Sequence, residues 1–391
     1  MKYNFDEIIP RENTDCLKYD ALQNIFGTDD LLPMWIADMD FRTPDFIIES
    51  LRRRLNHEII GYTFCSPKWK PAIQNWVLRR FSWRVNDDEI GFVGGVVPAI
   101  SFAIQCFTKR GDKVLIQPPV YHPYHHIVKD LERELVYNPL VLADSNYSID
   151  FDDFERKAQG CTLFLLCNPH NPGGRVWTRE ELAHIADICE KNGVIVVSEE
   201  IHCDMTLGNH KHTVYASVNK AAEQHSITLM AASKTFNIAG LKSSYHIIKN
   251  ELLRKRYADF LHKGELDYAH LFATEAVAEA YDKGEEWLEQ MLKYVEGNIS
   301  FMDNFIKENM PRLGVIIPQA SYLVFIDARK LGLPQKELVR FFVEDAKVGL
   351  NDGATFGVEG IGFMRMNVAC PRAILECALL RIKAAYDKCY F

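Results

Sequence analysis

The chain has 391 residues, of which 48% are hydrophobic, and its formal net charge is −8 at pH 7. A chain of this length can bury a large core, and we expect more than one domain. The acidic balance argues against a surface for nucleic acid or for an anionic membrane, so neither is expected as a partner.

The ten cysteines are scattered, without a Cys-x-x-Cys pair or zinc-like spacing. This usage is typical of a reducing compartment, and no metal site is predicted. The N-terminus lacks the apolar core of a signal peptide. The longest apolar stretch, residues 92–107, contains two glycines and a proline and is too short to span a membrane. We therefore expect a cytoplasmic protein.

The N-terminal 45 residues contain three prolines that interrupt regular structure, and we expect this segment to be irregular. A helix is predicted next, from about Thr43 or Pro44, because apolar residues then recur at helical spacing. Its apolar face carries Phe46, Ile47, Leu51 and Leu55.

From about residue 90 the chain alternates apolar strands with helical segments. The pattern predicts βαβ units and a mostly parallel sheet, which is an α/β fold. Because crossover connections are right-handed, the carboxyl ends of the strands share one edge of the sheet, and ligands bind there. Residues at or just past the predicted strand ends are Tyr121, Asn171, Glu199 and Lys234.

Three segments of this part of the chain have chemistry that can be argued from the residues. The two Asn-Pro steps around Asn171 predict a turning backbone that aims its amide at a ligand oxygen. Desolvation at a strand end can remove the proton from Lys234, whose amine then becomes a nucleophile toward a carbonyl. Gly94 and Gly95 precede a predicted helix, and free amides at a helix N-terminus can bind a phosphate.

The pattern turns helical again between about His270 and Met310. Residues near one face of this segment are Trp287, Met291, Val295, Ile299, Met302 and Ile306. Strands are predicted at residues 322–326 and 362–367. The second strand contains Arg365, whose guanidinium suits a carboxylate.

From the residues alone, several positions that could belong to a functional site have a plainer interpretation. Lys234 can be a surface lysine and Arg365 one partner of a surface ion pair. Tyr62, which follows a glycine, and Tyr121 can be packing residues, and Asp38 can belong to an anchoring strand.

The segment Ser233–Leu241 resembles the Schiff-base lysine motif of pyridoxal-phosphate enzymes of the aminotransferase fold. The resemblance is strongest to the C–S β-lyase branch, the MalY/PatB-type cystathionine β-lyases, and extends from about Trp35 to Pro371. Further motifs that carry it are Asp38-Met39-Asp40-Phe41, Pro169-His170-Asn171-Pro172 and Glu200-Ile201-His202.

The resemblance implies a fold type I pyridoxal-phosphate-dependent transferase. The large cofactor-binding domain would span residues 46–280 and contain a mostly parallel seven-stranded sheet. Residues 1–45 and 281–391 would form a smaller α/β domain. The resemblance also implies a homodimer.

The resemblance also implies roles for individual residues. Catalysis would use Lys234, which also holds the cofactor, with Glu199 at the pyridine nitrogen and Tyr121 stacked on the ring. The cofactor would further contact Gly95, Val96, Val97, Asn171, His202, Ser233 and, from the other subunit, Tyr62. Substrate would be bound by Arg365, Asp38 and Asn171.

The chain departs from the family pattern at four positions. Glu199 stands where the family usually has Asp, and Gly173 stands where it usually has Thr. In the phosphate region, Ala231 replaces a usual Ser and Lys242 a usual Arg. The last two changes alter the expected set of phosphate ligands and leave the cofactor expectation intact.

The expected reaction is α,β-elimination of L-cystathionine or related cysteine S-conjugates to pyruvate, ammonia and a thiol. One alternative is an aminotransferase of a small or aromatic amino acid, which would use the same Lys234. Another alternative is a cofactor-binding regulatory protein that acts through a protein partner.

Overall fold

The computed structural model describes residues 2–390. The strands, in chain order, are β1 (Leu32–Pro33), β2 (Ile90–Val93), β3 (Lys113–Ile116), β4 (Glu134–Tyr137), β5 (Val141–Ala143), β6 (Asn146–Ser148), β7 (Cys161–Cys167), β8 (Ile195–Glu199), β9 (Ser226–Met230), β10 (Ser244–Ile247), β11 (Gly314–Ile316), β12 (Leu323–Asp327), β13 (Val348–Gly349), β14 (Asn351–Asp352) and β15 (Phe363–Asn367).

The α-helices are α1 (Leu17–Asp20), α2 (Leu22–Phe26), α3 (Asp45–Leu55), α4 (Trp69–Phe81), α5 (Val96–Phe107), α6 (Pro123–Asp130), α7 (Phe151–Ala158), α8 (Arg179–Asn192), α9 (Lys220–Gln224), α10 (Glu251–Lys263), α11 (Ala273–Lys283), α12 (Glu285–Asn309), α13 (Gln335–Arg340) and α14 (Arg372–Tyr390). Short 3₁₀ turns are Asp87–Glu89, Tyr215–Ser217, Ala239–Leu241, Arg329–Leu331, Gly353–Phe356 and Val358–Gly360, and a π-helical turn, Phe341–Asp345, follows α13.

Seven strands form the main sheet, in the order β2-β10-β9-β8-β7-β3-β4. Strand β10 is antiparallel to both of its neighbours, and the other pairings are parallel. Every residue of β9 is buried, which is typical of parallel strands covered on both faces by helices. The predicted mostly parallel α/β sheet of seven strands is confirmed.

Helix α8 begins and ends at local capping signals. Thr178 and Glu181 form a reciprocal capping box at its start. Gly193 ends it in the left-handed conformation, at a φ of 67°.

The predicted helical segment 270–310 is two helices, α11 and α12, separated at Gly284. A Cβ at this position would lie 2.2 Å from both the Ala280 carbonyl oxygen and the Phe236 ring, so only glycine allows the close approach. The predicted apolar face of α12 is fully buried, as expected.

The apolar face predicted for α3 is only partly correct. Ile47 is buried, but Leu55 at the helix end is 48% exposed. The hydrophobic pattern of the sequence does not distinguish a core contact from an exposed apolar surface, and Leu55 belongs to such a surface.

A second sheet is antiparallel, with the order β11-β12-β15-β14. It lies within residues 314–367, whereas the main sheet lies within residues 90–247. The domain boundaries at residues 45/46 and 280/281 stay predictions. Among the helices of residues 2–390, none combines the length and the apolar character that a membrane crossing requires.

Candidate active site

A cavity of about 360 Å³ lies at the carboxyl edge of the main sheet. Loops that follow β2, β3, β7, β8 and β9 contribute its walls, as expected for an open α/β sheet. Predicted site residues that line it are Gly95, Val96, Val97, Tyr121, Asn171, Glu199, His202, Ser233 and Lys234.

Lys234 follows β9 and lies in the cavity wall. Its Nζ donates a hydrogen bond to the Ala37 carbonyl oxygen at 2.5 Å. Burial lowers the pKa of Lys234 to about 8, although the nearby Asp38 and Glu199 carboxylates oppose the shift. Part of the amine is therefore unprotonated near neutral pH and can act as a nucleophile.

Glu199 and Glu200 point in opposite directions because side chains alternate along a strand. Glu199 lines the cavity, where its carboxylate accepts from the Ile201 amide at 3.1 Å and the Tyr124 hydroxyl at 3.4 Å. Burial raises the pKa of Glu199 to about 7. Glu200 is instead bonded to His212, with 2.6 Å between Oε2 and Nε2.

Tyr121 and His202 face the cavity in their neutral forms. Burial and the Glu199 charge raise the pKa of Tyr121 to about 12. Burial lowers the pKa of His202 to about 3, and its Nδ1 has no hydrogen-bond partner within residues 2–390. A neutral imidazole can accept or donate a hydrogen bond to a ligand oxygen.

Arg365 adjoins the cavity through Asn171. Its Nη1 donates to the Asn171 Oδ1 at 2.9 Å, and its side chain is buried. Burial lowers the pKa of Arg365 to about 10, which leaves the guanidinium charged at neutral pH. An arginine in this position can bind a carboxylate through two parallel hydrogen bonds.

The opposite end of the cavity is suited to an anion. Gly95 precedes α5 with a φ of 122°, and no side chain caps the first turn of that helix. The hydroxyl of Ser243 is buried beside it and has no hydrogen-bond partner in the part of the chain that the structure describes. Free amides, a free hydroxyl and the nearby Lys242 are the donors that a phosphate requires.

Besides Arg365, which adjoins the cavity, two predicted residues do not line it. Both carboxylate oxygens of Asp38 accept hydrogen bonds from Arg11. The segment that contains Asp38 contacts the site instead through the carbonyl oxygen of the neighbouring Ala37, which accepts from Lys234. Tyr62 is fully exposed on the outer surface. Within one chain, the structure therefore does not bring Tyr62 to the site.

Three contributors were not found from the sequence: the Ala37 carbonyl, Ser243 and Asn351. Asn351 accepts a 2.6 Å hydrogen bond from Arg365. A carbonyl has no sequence signal, and the Ser243 hydroxyl follows the lysine motif without a pattern of its own. The pairing of Asn351 with Arg365 depends on the register of β14 and β15, which the sequence does not specify.

Comparison with known proteins shows what this chain resembles. The class I and II aminotransferase family model matches residues 32–382. Cystathionine β-lyase PatB of Bacillus subtilis (strain 168) is 44% identical over 384 residues, which cover 98% of this chain and 99% of PatB.

Two solved structures extend the comparison. Cystalysin of Treponema denticola, which contains a pyridoxal 5′-phosphate cofactor, has a TM-score of 0.96 at 33% identity and covers 99% of this chain and 100% of its own. The PLP-bound C–S lyase of Staphylococcus hominis has a TM-score of 0.91 at 34% identity and covers 98% of each chain.

Proposed function

Because the chain belongs to the class I and II aminotransferase family, we propose that it is a pyridoxal-phosphate-dependent C–S β-lyase. The reaction is α,β-elimination of L-cystathionine or a related cysteine S-conjugate, which gives pyruvate, ammonia and a thiol. The observation that carries the proposal is a single cavity that contains Lys234, Glu199 and an uncapped helix start. The names of PatB and of the C–S lyase indicate the branch of the family.

The residues of the cavity fit pyridoxal phosphate. The unpartnered Ser243 hydroxyl and the amides of Val96 and Val97 would hold its phosphate, with Ser233 and Lys242 beside them. Lys234 would bind its aldehyde carbon.

The remaining contacts would orient the cofactor ring. Glu199 would keep the pyridine nitrogen protonated, because a cation beside a buried carboxylate favours the charged pair. Tyr121 would cover one face of the ring. Asn171 and the neutral His202 would contact the ring hydroxyl.

When bound, the cofactor supplies an electron sink for the bond that breaks at Cα. Arg365 binds and orients the α-carboxylate of the amino acid. Lys234 Nζ takes the proton from Cα, for which its lowered pKa is suited. The loss of that proton is followed by cleavage of the Cβ–S bond, and the sulfur leaves with the electron pair as a thiolate.

The proposal is tested by incubating the PLP-loaded protein with L-cystathionine in the absence of a keto acid, with pyruvate and free thiol assayed together. We expect equal amounts of both over many turnovers. The Lys234→Ala variant is expected to lose the absorbance of the bound cofactor and the activity, since the nucleophile and the base are the same amine.

The competing reaction has a different signature. An aminotransferase would form no pyruvate and would convert the cofactor to its amine form until a keto acid is added. That result, or activity retained in Lys234→Ala, would contradict the proposal.

We further propose a homodimer in which Tyr62 enters the site of the other subunit. The support is an exposed apolar surface that includes Leu55, Ile59, Ile60, Tyr62 and Phe64, together with Tyr268. An apolar surface of this kind is typical of a contact with another protein. At this surface, residues 60–65, Glu265 and residues 267–272 line a groove of about 1160 Å³.

We also propose a cytoplasmic location and a division into a large and a smaller domain. All ten cysteines are free thiols, which agrees with a reducing cytoplasm. The two sheets agree with a large domain at residues 46–280 and a smaller one that includes residues 281–391.

A further inference from the structure

Arg365 is a buried cation whose hydrogen-bond partners are all neutral. Its Nη1 donates to Asn171, and its Nη2 donates to the Asn351 Oδ1 at 2.6 Å and the Trp35 carbonyl oxygen at 3.4 Å. Its Nε is buried and has no partner within residues 2–390. By contrast, the buried Lys18 is paired with the Asp40 carboxylate at 2.6 Å.

The neutral partner is selected by the alternation of side chains along β14. Asn351 is directly opposite Arg365 in the antiparallel pairing of β14 with β15. The next residue, Asp352, accepts from the Ala354 amide at 2.9 Å and from the Gln335 side chain at 2.5 Å. An amide therefore faces the guanidinium, and the neighbouring carboxylate is bonded elsewhere.

An amide oxygen and a carboxylate oxygen affect a guanidinium differently. Both accept a hydrogen bond and hold the group in place, but only the carboxylate neutralises its charge. A buried positive charge without a counter-ion is costly, and an anionic ligand removes that cost. The unpartnered Nε is the remaining donor on the same guanidinium.

We propose that Asn351 is a positioning residue for substrate recognition, which holds Arg365 in place while leaving its charge for the α-carboxylate of the amino acid. This inference rests on the proposed function, in which Arg365 binds that carboxylate. Asn351 itself acts only through Arg365.

The decisive variant is Asn351→Asp, which keeps the shape and the acceptor but adds a negative charge. The new carboxylate pairs with Arg365 and competes with the substrate. Since a hydrogen bond between charged groups is lost from the complex, KM for L-cystathionine is expected to rise roughly 10- to 150-fold. The change in kcat is expected to be smaller, because Lys234 and the cofactor site are untouched.

Asn351→Ala and Asn351→Ser separate this role from a structural one. Serine keeps a neutral acceptor and alanine removes it, so both are expected to raise KM less than Asn351→Asp does. If Asn351 served only to support the fold, the isosteric aspartate would be the mildest of the three changes. Asn24→Asp, on an exposed position of α2, adds the same charge away from Arg365 and is expected to leave KM unchanged.

A binding measurement keeps the test independent of turnover. The probe is 3-(methylthio)propionate, a thioether carboxylate without an amino group, titrated calorimetrically into the PLP-loaded protein. We expect Asn351→Asp to bind it more weakly than Asn351→Ser and Asn24→Asp do. Melting temperature and cofactor absorbance show that each variant is folded.

The outcomes distinguish this inference from the proposed function. If the unmodified protein forms no pyruvate, the proposed lyase activity is wrong. The order of probe affinities still tests the positioning role of Asn351 in that case. Equal affinities and equal KM values in Asn351→Asp and Asn351→Ser would overturn the role of Asn351 while leaving the lyase intact.

Discussion

Two adjacent glutamates differ completely in environment. Glu199 faces the cavity, while Glu200 is bonded to Ser198 and His212 on the other side of the strand. The alternation of side chains along β8 thus decides which of them faces the cavity. The extra methylene of Glu199 relative to aspartate is accommodated by contacts with the Tyr124 hydroxyl and the Cys167 thiol.

Glu199→Gln is expected to reduce kcat much more than Glu200→Gln. A hydrogen bond to a charged group is worth about 1.5–3 kcal/mol, so its loss at the pyridine nitrogen corresponds to a roughly 10- to 150-fold lower rate. The measurement is steady-state β-elimination with both variants saturated with cofactor. A larger loss of kcat in Glu200→Gln would move the role to that residue.

Residues next to strand ends could be predicted from the sequence, because buried strands are visible as apolar runs. Lys234, Glu199 and Asn171 are of this kind, and the structure places all three at one cavity. Asn351 could not be predicted, because its partner Arg365 is brought to it by strand pairing. The resemblance to the C–S β-lyase branch is confirmed by the relatives and by the fold.

At the scale of elements, the start of α5 and the turn before β10 together form the end of the cavity where the proposed function places the phosphate. The Gly95 amide donates a hydrogen bond to the Ser244 hydroxyl at 3.0 Å, and this bond links the two segments. Ser243, one residue earlier, keeps its hydroxyl free for a ligand. In the proposed enzyme, Ser243 would take over part of the role of the serine that Ala231 replaces.

Ser243→Ala is expected to weaken cofactor binding by the apoprotein about 10-fold or more, as the loss of a hydrogen bond to a charged phosphate would. The dissociation constant is measured by titrating pyridoxal phosphate into the apoprotein and following its absorbance. Thr228→Val is the matched control. It removes another buried hydroxyl without a partner in the described chain, in β9 and outside the cavity lining. Equal affinities in the two variants would exclude Ser243 from the phosphate site.

The ends of helices agree with the sequence pattern where a local capping signal exists. The capping box at Thr178 fixes the start of α8. The break between α11 and α12 was not predicted from the helical pattern, and the close approach of the Phe236 ring to Gly284 at this break joins segments that are distant in sequence. Contacts between distant segments are not encoded in local periodicity.

At the scale of the whole molecule, the proposed homodimer, with Tyr62 in the site of the other subunit, predicts subunit complementation. Tyr62→Ala and Lys234→Ala are each expected to be strongly impaired as homodimers. If Tyr62 acts in the other subunit, a hybrid dimer contains one site with both residues intact. After random mixing of the two variants in equal amounts, about one quarter of all sites are then intact.

The measurement is the β-elimination rate after the two variants are dissociated, mixed and reassociated. Each variant treated alone is the control for the procedure. No recovery after mixing, with hybrid dimers demonstrated by mass, would mean that Tyr62 does not act across the interface.

The Ala37 carbonyl that binds Lys234 belongs to an N-terminal segment that is placed by the far end of the chain. Asn367 donates to the carbonyl oxygens of Ile36 and Asp38, and Met34 donates to Gly349. During synthesis residues 34–38 leave the ribosome long before Gly349 and Asn367, which hold them in place. The site is therefore completed only after Asn367 has been translated, and a nascent chain that stops before this residue cannot present the finished cofactor pocket.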